Sequence, residues 1–346
     1  MSFSSINIKF LKWLPLLFLV FITACAVNTN AEDLLPTEPV VPVEETSAPT
    51  LTEIEPELRV LVAVGSDAEA GIISRVIDAV EGFAAADGLA LAVEDGLSSE
   101  MITPETRIVV GIGADLDISS IAADTPQVSF LALEHKGIGP GANLFVIGDP
   151  AEDWQRQVFM AGYLTALVSS DNKLGALIPA DSENPEQIVE IFNNGARFYC
   201  GICRPQFPPY GNFPRWEILS LSNAEAGFQP VVDDFIVSGI DIIYVHGALA
   251  SPTLFSYLAE RDIKVVSNSD PDARGPNWVG TLIVDPAPAL DVIWTDLMTG
   301  QNGYQLPASV TVVNRNTGLF SEARYRLFDS VLSDLEQGLI GLSDSQ

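Results

Sequence analysis

Short apolar segments alternate with amphipathic segments from residue 58 onwards. Residues 58–64 have the length and the β-branched content of a buried strand, and the strand is followed by the turn-forming residues 65–67. Next, Ile72, Val76 and Val80 recur at helical spacing and form one apolar stripe. This rhythm predicts a parallel β-sheet with helices on both faces.

The rhythm runs through two successive series. A predicted helix, about residues 152–169, separates them. The further strands that the pattern predicts are 89–93, 107–112, 128–133 and 144–147 in the first series, and 173–178, 216–221, 240–245 and 263–266 in the second. Two α/β series of similar size predict two lobes. A ligand in such an architecture lies outside the carboxyl ends of the strands, between the lobes.

The N-terminus has the pattern of an export signal. Lys9 and Lys12 precede an apolar run, residues 13–22, which is too short to span a bilayer but is typical of a signal peptide. Residues 22–25 (ITAC) resemble a bacterial lipobox, although an ordinary signal peptide would also end in this way. Cleavage without lipid would leave Cys25 as an unpaired thiol in an oxidising compartment. We therefore predict that residues 1–24 are a lipoprotein signal peptide, that Cys25 carries acyl chains such as palmitate, and that the protein is anchored at the extracytoplasmic face of the cell membrane.

The segment after Cys25 is strongly acidic. Residues 26–57 contain eight acidic residues, five prolines and no lysine or arginine. Such a chain repels itself and has little apolar surface to bury, so we expect residues 25–57 to be a disordered tether. The same composition is compatible with a segment that has no spacing role.

The overall charge excludes several classes of partner. The chain has 46 acidic and 17 basic residues, for a net charge of −29, yet 47% of its residues are hydrophobic. The hydrophobic content predicts a folded body rather than a disordered acidic protein. The scarcity of lysine and arginine argues against nucleic acid as a partner and against attraction to anionic lipid headgroups.

The residue inventory gives no support for catalysis. The 346 residues include two histidines and three cysteines, and they lack a Gly-x-Ser-x-Gly elbow, a His-Glu-x-x-His pair and a phosphate-binding loop. Gly111 and Gly113 begin a glycine pattern that lacks the third glycine of a dinucleotide site. We expect no enzyme activity, no cofactor and no metal.

Several segments resemble one known family. In order along the chain they are QVFMAGYLTALV (157–168), NKLGALI (172–178), FNNGAR (192–197), GIDIIYVHGA (239–248) and IKVVSNSD (263–270). Together they are similar to the central signature of the basic membrane protein (BMP)-type substrate-binding lipoproteins of ABC transporters, the family that includes purine nucleoside receptors. The nucleoside-binding members carry an aromatic residue in the first strand-end loop, where this chain has GSDAEAG (65–71).

The resemblance implies a type I periplasmic-binding-protein fold, in which two Rossmann-like lobes with parallel sheets are joined by hinge crossovers. The first lobe would comprise residues 58–150 and about 270–305, and the second 151–269 and about 306–346. The implied function is capture of a small molecule, a nucleoside or similar, between the lobes, and its delivery by a monomer to an ABC permease. The alternative is a lipid-anchored ligand sensor or scaffold with the same fold that acts on a membrane signalling partner.

Strand-end loops supply the candidate ligand-binding residues. Their hydroxyl, carboxylate and imidazole groups can exchange hydrogen bonds with a hydroxyl-rich ligand, and one tryptophan offers a stacking face. The candidates are Ser66, Asp67, Asp115, Asp181, Ser182, His246, Ser269, Asp270 and Trp278. The three first-named aspartates are also suited to capping helices, and His246 to a purely structural hydrogen bond.

Cys200 and Cys203 open a proline-rich loop with several aromatic residues. A structural zinc site would need a second pair of ligands, and redox-active Cys-x-x-Cys motifs begin a helix, whereas this one follows a helix. We therefore predict a structural disulfide. The aromatic residues Phe207, Tyr210 and Phe213 either pack on the second lobe or form a partner surface, and we favour packing.

Overall fold

The computed structural model describes residues 57–221, 227–270 and 274–342. The predicted signal peptide, Cys25 and all but the last residue of the predicted tether lie outside these ranges. Within them, no helix has both the length and the apolar character needed to cross a membrane.

Strands and helices alternate along most of the described chain. In chain order the strands are β1 (Arg59–Val64), β2 (Ala90–Asp95), β3 (Thr106–Ile112), β4 (Ser129–Leu133), β5 (Leu144–Ile147), β6 (Leu174–Pro179), β7 (Arg215–Leu219), β8 (Ile242–Val245), β9 (Lys264–Ser267), β10 (Trp278–Asp285), β11 (Gln305–Leu306) and β12 (Ser309–Val313). The helices are α1 (Ala70–Ala86), α2 (Ile118–Asp124), α3 (Pro150–Val168), α4 (Pro185–Cys200), α5 (Gln229–Val237), α6 (Pro252–Glu260), α7 (Ala287–Thr299) and α8 (Glu322–Glu336).

The strands form two six-stranded sheets. The first sheet has the order β2-β1-β3-β4-β5-β11 and is parallel throughout. The second has the order β7-β6-β8-β9-β10-β12, and only β12 runs antiparallel. This architecture confirms the predicted α/β fold with two parallel-sheet lobes.

Both faces of each sheet are covered. On one face of the first sheet, α1 and α7 enclose an apolar core, and α2 closes a second core on the other face. A continuous core joins the second sheet to α3, α4, α5, α6 and α8. The central strands are therefore apolar on both sides, as in β4, where all five residues are buried. We call the two sheets with their helices the first and second lobes.

The chain crosses between the lobes three times, at residues 148–149, 285–287 and 307–308. The sequence led us to expect β10 in the first lobe, but it lies in the second sheet, between β9 and β12. Its first half pairs with β9 and its second half with β12, so the whole strand finds its hydrogen bonds in the second lobe. The chain enters the first lobe again only with α7.

Helices α3 and α4 approach each other closely through two glycines. A β-carbon at Gly162 would lie 2.0 Å from the carbonyl oxygen of Phe192, and one at Gly195 would lie 1.9 Å from that of Phe159. Either atom would overlap backbone, which cannot move without shifting a helix. These glycines belong to the AGYL and FNNGA segments, so close helix packing gives those segments a structural role.

We predict that Gly162→Ala destabilises the protein although alanine is the better helix former. The propensity gain of about 1 kcal/mol is outweighed by the backbone overlap, which we expect to cost about 1–3 kcal/mol net. Urea unfolding measures the change. The control is Gly82→Ala in α1, where a β-carbon meets no atom within 4 Å. If both variants gave the same midpoint, the close contact would not determine stability.

Candidate functional site

A cavity of about 250 Å³ lies where the chain crosses between the lobes. It borders the carboxyl ends of β4, β5 and β9, which is where ligands bind in parallel α/β sheets. Both lobes contribute to it, with residues at or directly beside each of the three crossings. The lining residues are Glu69, Ile72, Arg75, Glu134, Ile147, Pro150, Asp153, Trp154, Gln157, Asn268, Ile283, Val284, Pro286 and Ala308.

Two amide side chains on the second-lobe side are held in place by hydrogen bonds. Gln157 Nε2 donates to the carbonyl oxygen of Leu282 at 3.0 Å, and Asn268 Nδ2 donates to Gln157 Oε1 at 3.2 Å. Asn268 Oδ1 accepts from the backbone N–H of Gly247 at 2.6 Å and from the Tyr244 hydroxyl at 3.2 Å. Because both orientations are fixed, these amides present a preorganised polar wall to the cavity.

The first-lobe side carries a partly buried carboxylate, Glu134, directly after β4. Burial raises the pKa of Glu134, and the neighbouring charges of Glu69 and Asp67 raise it further, whereas the backbone N–H of Glu69 and the charge of Arg75 oppose the shift. The N–H of Glu69 lies 3.4 Å from Glu134 Oε2. Among the ion pairs of the described residues, none includes Glu134 or Glu69.

Arg75 connects the first lobe to the second crossing. Its Nε lies 3.4 Å from Asp285 Oδ1, and its Nη2 donates to the carbonyl oxygen of Val284 at 3.4 Å. The Arg75 guanidinium is thus already bound to the end of β10. The carboxylates of Glu69 and Glu134 leave the cavity with excess negative charge, which favours ligands that donate hydrogen bonds or carry positive charge.

Asp153 lies just after the first crossing, in the first turn of α3. Its Oδ2 accepts the backbone N–H of Asp149 at 3.0 Å, and Arg156 donates to its Oδ1. Although Arg156 favours the charged form, burial dominates and raises the pKa of Asp153 to about 6. Trp154 follows Asp153 in the sequence and lines the same cavity.

The predicted first-lobe residues lie together at the carboxyl edge of the first sheet, outside the cavity lining. The N–H and Oγ of Ser66 donate to Asp115 Oδ2 at 3.0 and 2.6 Å, and these bonds lower the pKa of Asp115. Asp67 Oδ2 accepts the N–H of Ala114 at 3.3 Å. The three side chains bind the loops after β1 and β3 to each other.

Three predicted second-lobe residues also make local hydrogen bonds. Asp181 Oδ2 accepts the N–H of Leu221 at 2.7 Å, and Ser182 Oγ donates to the carbonyl oxygen of Pro179 at 2.9 Å. His246 Nδ1 accepts the N–H of Ala248 at 3.2 Å, and burial lowers the pKa of His246. None of the three lines the cavity.

Ser269 and Asp270 line a separate groove beside α6. Arg274 Nε donates to Asp270 Oδ1 at 2.8 Å, so this carboxylate already has a cationic partner. Trp278 does not have the stacking face that we expected. It is 4% exposed and packs edge-on against Phe255, with ring centroids 5.2 Å apart, because it lies at the amino end of β10, away from the cavity.

Of the cavity residues that sequence reasoning missed, Glu69 and Asn268 lie two and one positions from predicted residues, whereas Glu134, Arg75 and the α3 residues have no predicted neighbour. Glu134 and Asn268 directly follow β4 and β9, so the cavity lies at the strand ends to which the strand-end rule points. The rule did not identify the residue, because successive side chains point in opposite directions. Trp154 and Gln157 lie near the start of α3. The sequence feature that could have identified them is the cluster of polar and aromatic residues just after the first crossing. The described residues hold no group of three or more His, Cys, Asp or Glu suited to a metal ion.

We predict that ionisation of Asp153 lowers the free energy of unfolding. A folded-state pKa of about 6, above the ordinary aspartate value of 3.8, means that the native state binds this proton more tightly than the unfolded state does. The stabilisation is complete below about pH 4 and lost as the pH rises through 6, a change of about 3 kcal/mol. The free energy of unfolding of the wild type minus that of Asp153→Asn should therefore fall between pH 4 and pH 7. A difference that rises with pH would contradict this.

No family model and no curated protein matches the chain. Similar solved structures include a transcriptional activator of the comK gene from Bacillus halodurans, at 14% sequence identity and a TM-score of 0.55 over 82% of this chain and 99% of that chain. Another is AraP, an arabinose-binding protein from Geobacillus stearothermophilus, at 11% identity and a TM-score of 0.50 over 76% of this chain and 98% of that chain. Similarity at this level concerns the fold. The chain has the type I periplasmic-binding-protein fold.

Proposed function

We propose that this protein is a lipid-anchored extracytoplasmic solute-binding protein. It captures a small hydroxyl-bearing molecule, a nucleoside or similar, and delivers it to an ABC importer. The observation that carries the proposal is the cavity at the three crossings, which is built from both lobes. In this proposal the protein performs no chemical step and needs no cofactor.

The position of the cavity supports capture by lobe closure. A solute that touches Glu134 on one side and Asn268 on the other makes its full set of contacts only when both lobes are in place. Its binding energy therefore favours the closed arrangement over any more open one. The crossings are short backbone segments, which is the kind of connection about which two lobes can rotate.

The lining supports a small, hydroxyl-bearing ligand. Carboxylates such as Glu134 accept hydrogen bonds from hydroxyl groups, and Trp154 adds a large aromatic side chain to the lining. The volume of about 250 Å³ is just below the range of about 300–1,000 Å³ for drug-sized ligands. The excess of carboxylates disfavours an anionic solute.

The N-terminal pattern supports the location and the delivery route. A lipid on Cys25 would hold the protein at the membrane, and the acidic segment 26–57 would give the folded body reach. A tethered binding protein meets a membrane permease at a high effective concentration. The resemblance to the BMP-type lipoproteins supports the same assignment.

We predict that a nucleoside or a neutral sugar raises the unfolding temperature of the chain that begins at Ala26. A ligand at about 100 times its Kd adds about 2.7 kcal/mol to the free energy of unfolding, which shifts the midpoint by several degrees. Thermal-shift measurements against both classes test this. If no member of either class shifts the midpoint at millimolar concentration, the proposed solute class is wrong.

Substitution of Trp154 tests the location of the site. Trp154→Leu should weaken binding of the stabilising solute about tenfold, because it removes the aromatic face. Titration calorimetry measures the affinity. The matched control is Trp216→Leu on β7, since Trp216 is exposed and lies outside the cavity lining. Equal losses in the two variants would place the solute elsewhere.

A further inference from the structure

The loop between α4 and β7 displays apolar side chains at the amino ends of the second-lobe strands. Ile202, Phe207 and Tyr210 are 80%, 66% and 70% exposed. Phe213 is buried, so packing holds for this residue but not for the two other aromatic residues of the loop. All the large exposed aromatic side chains of the described ranges lie in this region, and they are Phe198, Tyr199, Phe207, Tyr210 and Trp216.

The same segment is locally basic. Residues 191–216 contain three arginines and no acidic residue, in a chain with a net charge of −29. Arg215 is paired with Asp234 at 2.7 Å. No ion pair within the described ranges includes Arg197 or Arg204, and both line one groove with Ile202 and Tyr210. The surface thus combines exposed rings with two uncompensated cations.

The loop is held firmly from beneath. Asp171 accepts the backbone N–H groups of Gln206 at 2.6 Å and Phe207 at 3.2 Å, and Lys173 Nζ donates to the carbonyl oxygen of Pro208 at 3.2 Å. A disulfide between Cys200 and Cys203 closes the start of the loop. A rigid loop loses little conformational entropy on docking, so its exposed side chains are available for binding.

We propose that the basic aromatic patch, formed by Arg197, Ile202, Arg204, Phe207 and Tyr210, docks on an anionic phospholipid bilayer. Aromatic side chains with an apolar body and a polar edge prefer the membrane–water interface. Guanidinium groups bind phosphate oxygens through paired hydrogen bonds. The patch offers both kinds of group on one surface.

The total charge of the chain does not oppose this contact. At physiological ionic strength the Debye length is about 8 Å. A bilayer therefore interacts with the charges of the docked surface, whereas the charges of the first lobe are screened. The composition-based argument against anionic lipid holds for the whole chain but not for this patch. The proposal does not depend on the identity or the existence of the bound solute.

The position of the patch is compatible with solute capture. The loop immediately precedes Arg215, the first residue of β7, whereas Asn268 lines the cavity just after the last residue of β9. Because these strands are parallel members of one sheet, the patch lies at the amino ends of the strands and the cavity at their carboxyl ends. A docked body would therefore keep its cavity open to solutes.

Vesicle binding by the chain that begins at Ala26, which carries no lipid, tests the proposal. We expect sedimentation with phosphatidylglycerol-containing vesicles, and weaker binding to phosphatidylcholine alone or at high salt. Each arginine contributes about fivefold, so Arg197→Glu with Arg204→Glu should lower the partition coefficient at least about 25-fold. Phe207→Ser with Tyr210→Ser should lower it about tenfold or more.

Matched substitutions elsewhere control for charge and hydrophobicity. They are Arg326→Glu on α8 and Val292→Ser on α7, both at exposed positions. Thermal unfolding verifies that every variant is folded. Absence of vesicle binding, or equal losses in the controls, overturns the proposal. Full competition by free glycerol phosphate, together with an undiminished Phe207/Tyr210 variant, would identify a soluble-anion groove and also overturn it.

Discussion

The three crossings of the chain between the two lobes constrain the rest of the structure. They lie side by side, since β10 pairs with β12 and Gly148 donates its N–H to the carbonyl oxygen of Leu306 in β11. Arg75 adds a side-chain link from α1 to the end of β10. The cavity forms at this place because the carboxyl ends of strands from both sheets meet here. Polar groups that enter such a site are held by rigid neighbours.

Helix α3 connects the cavity to the core of the second lobe. Its first two turns line the cavity with Asp153, Trp154 and Gln157, and its remaining residues are buried on every side. A helix that is apolar all round needs neighbours on all faces, and the glycine contact with α4 provides the closest of them. Since α4 ends at the disulfide loop, one continuous piece of packing runs from the cavity to the basic aromatic patch.

Periodicity predicted the fold because both sheets are buried on two faces, which leaves uninterrupted apolar runs such as β3 and β4. It did not assign β10, since a crossing strand has the same apolar pattern whichever sheet it joins. It pointed to the strand ends at which the cavity lies but not to the cavity residues, because Asn268 and Ser269 are adjacent in sequence while their side chains face different surroundings. Trp278 is a residue type that often stacks on ligands. It is buried here because it lies at the amino end of β10, a position that the sequence pattern does not reveal.

Parallel strands give the two edges of each sheet different chemistry. At the carboxyl ends of the strands, carboxylates such as Asp115 and Asp181 accept the free N–H groups of neighbouring loops, so negative charge accumulates at these ends. At the amino edge of the second sheet, Lys173 and Lys264 are paired with carboxylates, and Arg197 and Arg204 remain as excess cations. The net charge of −29 is therefore unevenly distributed over the protein. Carboxylates lie at the carboxyl ends of the strands, and arginines without an ion-pair partner among the described residues lie at the amino end of the second sheet.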